Sequence, residues 1–104
     1  MTRREAVAAL QRALEMSREL FEVADSGDVA RVAALDAERR GLLKSARAAL
    51  QPIDEKDRSV LDAIAELNAR SLGRMEHRFR AKCRDIDMLA AGRRAVRAYG
   101  NTRT

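Results

Sequence analysis

The sequence predicts an all-α protein, an antiparallel up-down helical bundle made of a helical hairpin and a long third helix that overhangs it. Three observations predict it. Apolar residues recur at steps of three and four along most of the 104 residues. Five glycines and one proline are too few turn residues for a sandwich or barrel. Leu, Ile, Val and Phe together number 22, so the core is thin, and 20 alanines make up much of the remaining apolar content.

Helix 1 is expected over about residues 3–26. Thr2 and Glu5 fit a capping box at its start. Val7, Leu10, Leu14, Phe21 and Ala24 form its apolar stripe, with Ser17 as a polar interruption and Ala13 and Leu20 widening it. Ser26-Gly27-Asp28 then stops and restarts the chain, because Gly27 can adopt the left-handed conformation and Asp28 can cap the following helix.

Helix 2, about 29–50, repeats the pattern through Val32, Leu35, Leu42, Ala46 and Ala49, with Arg39 at the one seam position that should be apolar. The short connection makes helices 1 and 2 antiparallel neighbours. Gln51-Pro52-Ile53-Asp54 closes helix 2, and Asp54, Glu55 and Asp57 place negative charge where the next helix dipole favours it.

Helix 3 carries Leu61, Ile64, Asn68, Leu72, Met75, Phe79, Cys83, Ile86 and Ala90, a spacing close to 3.6 that Gly73 does not reset. One helix over about 55–91 is expected, with Gly92 as its stop. The bundle domain is thus read as 1–92, and 93–104 as a partly ordered basic tail. At 1.5 Å per residue helix 3 is about 55 Å long against about 35 Å for each of the others. Its second half is therefore expected to overhang the hairpin, leaving Phe79, Cys83, Ile86 and Leu89 without an intrachain cover, a surface for another helix.

Charge follows the same division. Residues 1–69 hold 11 basic and 13 acidic side chains, whereas residues 70–104 hold 10 basic and 3 acidic ones. A mildly acidic body with a basic end points to an acidic partner surface, a nucleic acid or a membrane face. No apolar run is long enough to span a bilayer, and the charged start, Met1 to Glu5, lacks the continuous apolar block of a signal peptide. With a single cysteine, Cys83, a cytoplasmic protein is expected.

No enzyme chemistry stands out. His77 has no second ligand at metal spacing, Cys83 sits on the apolar stripe as a small hydrophobe, and Asp62 with Glu66 lie on an exposed helix face without a pocket. No phosphate loop, nucleophile elbow or zinc pattern occurs, so no catalytic residue, metal or cofactor is expected. The arginines at 70, 74, 78, 80 and 84 invite a nucleic-acid reading, but stacking aromatics and a helix-turn-helix spacing are both missing. The expected partner-binding residues are Met75, Phe79, Cys83, Ile86, Met88 and Leu89, continued by Arg93, Arg94, Val96, Arg97 and Tyr99.

In layout the chain resembles the FliT-type flagellar export chaperones. The resemblance rests on Glu38-Arg39-Arg40-Gly41-Leu42-Leu43, on Asn68, and most specifically on Gly92-Arg93-Arg94-Ala95-Val96-Arg97-Ala98-Tyr99. It implies a cytoplasmic chaperone of flagellar type III secretion that holds the filament-capping protein unpolymerised and delivers it to the export ATPase complex. It also implies binding of the flagellar master transcriptional regulator and control of partner access by the C-terminal segment, here the helix 3 overhang and residues 93–99. Chaperones of the hook-filament junction proteins are similar enough that the sequence leaves the client open. Two readings of other classes stand beside it, a small basic nucleic-acid-binding protein and a subunit that dimerises with a second copy through helix 3.

Overall fold

Three helices make up the protein, α1 (Arg3–Val23), α2 (Val29–Ala49) and α3 (Glu55–Thr102), in a computed structural model that describes the backbone of residues 1–102 and the side chains of residues 1–98. The chain divides into two compact units, Met1–Arg74 and Met75–Thr104.

The helix ends of the first unit follow from local chemistry. The Thr2 hydroxyl accepts from the Glu5 N–H at 3.2 Å and opens α1. Gly27 has φ 85°, a conformation open to glycine at little cost, and it lets the chain reverse between α1 and α2. Asp28 then caps α2 by accepting from the Arg31 N–H at 3.1 Å. The Asp54 carboxylate accepts from the Asp57 N–H at 2.9 Å at the start of α3.

Two apolar clusters hold this unit. One gathers Ala6, Leu10, Ala13 and Leu14 of α1, Ala46 of α2, Leu50 and Ile64 of α3, flanked by Val7, Leu43, Ile53, Val60, Leu61 and Leu67. The other centres on Met16, Leu20 and Leu35, with Val23, Val32 and Leu42 beside them. Alanines at 6, 13 and 46 are completely buried, and such small side chains let helices approach closely. The thin apolar content is thus used by close approach rather than by bulk.

Ser17, the expected interruption of the α1 stripe, is buried and donates to the Ala13 carbonyl at 2.8 Å, so the polar group does not remain unsatisfied. Arg39 occupies its seam position at 4% exposure, with its guanidinium on Asp36, which also accepts from Arg40 at 3.0 Å. A carboxylate one turn back makes a buried arginine tolerable where leucine was the simpler choice. Met16, outside the expected stripe, is buried, while Leu72, inside it, is about half exposed.

The end expected for helix 3 is corrected. Gly92 does not stop it, and α3 continues through residues 93–102, the segment read as a partly ordered tail. Gly92 has no positive φ, and its neighbours Ala90, Ala91, Arg93, Arg94 and Ala95 are strong helix formers. One glycine costs the helix about 1 kcal/mol, which that run offsets. Residues 103 and 104 of the expected tail lie outside the described residues.

Candidate functional site

The first unit ends in a polar lock. Arg74 of α3 donates through Nη1 to the Phe21 carbonyl at 2.6 Å, in the last turn of α1, and through Nη2 to both Asp25 carboxylate oxygens at 3.0 Å. Its guanidinium carbon lies 4.6 Å from the centre of the Phe21 ring. One side chain thus adds a second donor to a helix-end carbonyl that the Ala24 N–H reaches at 3.5 Å, pairs with a carboxylate and covers an aromatic face. At the opposite end Arg3 bridges Asp54 and Asp57, with Asp57 buried. The Asp57 N–H, above all, holds the Asp54 carboxyl below its ordinary range, and the Arg3 charge adds to this.

From Met75 onward the side chains of α3 are of a different kind. Phe79 is 70% exposed, and Ile86, Met88, Leu89 and Val96 are exposed to a similar degree. Met75 and Cys83 are half-buried, and every residue from 84 to 98 is exposed. Such a density of large apolar side chains in water along one helix exceeds what scattered surface hydrophobes account for.

The expected partner residues separate into groups. Met75 and Phe79 border a shallow depression with Glu76 and Arg80. Met88, Leu89, Arg93, Val96 and Arg97 border a second one with Asp85 and Gly92. It forms where Gly92 leaves the helix surface bare, since a Cβ there would meet nothing within 4 Å. At about 100° per residue Ile86 shares its face with Phe79, whereas Met88 stands well round the helix from Ile86. Arg94 is turned away from Leu89 and donates weakly to the Ala90 carbonyl at 3.4 Å. The side chain of Tyr99 lies outside the described residues.

The basic character of this stretch is mostly uncompensated. Arg80 sits 3.9 Å from Glu76. Among the described residues Lys82, Arg84, Arg93 and Arg97 make no ion pair. His77 is exposed, and no group of three or more His, Cys, Asp or Glu side chains is placed to hold a metal among the described residues. The arrangement suits contact with an apolar, negatively charged surface, and among the described residues no set of groups is placed for acid-base or nucleophilic chemistry.

A protein-family model described as flagellar protein FliT matches residues 7–101, nearly the whole chain. The chain belongs to the FliT family. FliT proteins are flagellar export chaperones, a family of binding proteins rather than of enzymes. The all-helical hairpin and long third helix agree with the FliT resemblance read from residues 38–43 and 92–99. No curated protein and no solved structure matches the chain. Among the described residues no helix is long and apolar enough to cross a membrane.

Sequence reasoning missed Arg74 and the depth of Asp57. Both are fixed by partners about fifty positions away in the chain, Phe21 and Asp25 for one and Arg3 for the other, and no local pattern announces such pairs.

Proposed function

We propose that this FliT-family chain is a chaperone of flagellar type III secretion whose client is the filament-capping protein. It holds the client through the exposed apolar residues of α3, prevents its premature self-association and delivers it to the export ATPase complex. The observation that carries the reading is the run of Phe79, Ile86, Leu89 and Val96 left in water on a helix of a FliT-family chain. A client segment that self-associates through apolar side chains is kept apart when those side chains are covered by this helix. Phe79, Ile86 and Leu89 act as anchors, and Met75 as an adaptable contact. The flagellar master transcriptional regulator is proposed as a second protein partner, which competes with the client for the same surface.

The test is co-purification of the filament-capping protein with wild-type chain and with Phe79→Asp, alongside thermal unfolding of each. Loss of capture with an unchanged unfolding temperature is expected. Capture that survives the substitution, or a variant that unfolds, overturns the assignment of Phe79 to the client surface. Binding that instead falls steeply with salt and ignores Phe79→Asp would support the nucleic-acid reading.

A further inference from the structure

We infer that the partner of α3 is an amphipathic helix carrying two carboxylates on its apolar face, about three turns apart, and that a second copy of this chain is rejected. The inference rests on the chaperone reading only in taking this face of α3 to be the binding surface.

Met75, Phe79, Lys82, Ile86, Leu89, Arg93 and Val96 are spaced by alternate steps of four and three. That is the seam of three heptads on a continuous helix, the geometry that accepts one further helix along its length. Five of the seven positions are apolar and two are cations, Lys82 and Arg93. Arg97 follows one turn after Arg93 and adds a third cation to the end of the seam. Neither seam cation has an acidic partner among the described residues, and the nearby carboxylates Glu76, Asp85 and Asp87 lie off the seam.

The two cations decide between occupants. In a parallel, in-register pair of this chain Lys82 meets Lys82 and Arg93 meets Arg93. In the antiparallel pair centred between Ile86 and Leu89, Lys82 of each copy meets Arg93 of the other. Both arrangements set like charges against each other inside the apolar contact, where a lone cation already costs stability. A different helix that offers Asp or Glu at those two levels turns both positions into matched pairs. Lys82 and Arg93 are eleven residues apart, about 16 Å along the axis, which fixes the spacing of the carboxylates. The bare surface at Gly92, beside Arg93, gives one bulky apolar side chain of the partner a seat between Leu89 and Val96.

The test uses two synthetic helical peptides of about twenty residues, identical heptads of Leu and Ala with Glu, or with Lys, at the two seam positions eleven apart. Binding to the full chain is measured by fluorescence anisotropy, and the oligomeric state of the chain by light scattering. The Glu peptide is expected to bind at least about tenfold tighter than the Lys peptide, and Lys82→Glu/Arg93→Glu to invert that order while its unfolding temperature stays put. Equal binding of the two peptides, or a wild-type dimer broken by Ile86→Asp, overturns the inference. If the Glu peptide binds selectively and the filament-capping protein does not bind at all, the partner chemistry stands and the chaperone reading falls. Capture of that protein together with equal peptide binding leaves the chaperone reading standing and removes the partner chemistry.

Discussion

Replacing Arg74 by alanine should destabilise the first unit by about 2 kcal/mol, the approximate sum of three interactions. The guanidinium donates to the Phe21 carbonyl at 2.6 Å, a charge-assisted bond worth about 1 kcal/mol at a side chain one third exposed. The Nη2 pairing with Asp25, itself half exposed, adds about 0.5 kcal/mol. The contact over the Phe21 ring at 4.6 Å adds a similar amount. For a packed unit of this size 2 kcal/mol corresponds to about 10 °C in unfolding temperature, read by circular dichroism at 222 nm. Arg74→Lys keeps the charge but loses the two separate nitrogens that reach Phe21 and Asp25 and the planar stacking, and should recover less than half of the difference. An Arg74→Ala variant that melts within about 2 °C of the wild type would refute the view that this residue ties α3 to the end of α1.

Other perturbations separate the packed unit from the exposed helix. Leu10→Ala removes a fully buried side chain from the main cluster and should cost about 3 kcal/mol in chemical denaturation. Gly41→Ala adds a methyl into open space on α2 at a helical φ, and should raise stability by about 0.5–1 kcal/mol in the same assay. Asp54→Asn keeps the cap and removes the charge. Because the folded carboxyl titrates below its ordinary value of 3.8, its contribution is fully present above that pH and is lost as pH falls through the folded value. The melting difference between wild type and Asp54→Asn should therefore be constant from about pH 5 to 8 and shrink below about pH 4.

What the sequence made legible was the part governed by local rules. Thr2, Gly27 and Asp28 act at the helix ends where their side chains and backbone freedom suit them, and the stripes through Leu10, Leu14, Leu35, Ala46 and Ile64 are buried as their spacing implies. Gly92 misleads as a stop signal, because a glycine ends a helix only when the following residues favour another conformation, and Arg93 to Ala98 do not. Leu72 is on the stripe yet half exposed, since periodicity gives a direction and not the extent of the neighbouring helix. For the candidate surface the sequence pointed to large apolar groups among cations, and Phe79, Ile86, Met88, Leu89 and Val96 are exposed. A strict 3.6-residue spacing passes through Cys83 and Ala90, whereas a heptad spacing, the one proposed above, passes through Lys82 and Arg93.

The client is expected to meet α3 beyond Arg74 and to leave the packed hairpin untouched. Amide hydrogen exchange on the full chain, with and without the filament-capping protein, reads that location residue by residue. Slowed exchange confined to residues 75–98, with α1 and α2 unchanged, is the predicted result. Protection that appears on α2 and leaves residues 75–98 exchanging as before would contradict it.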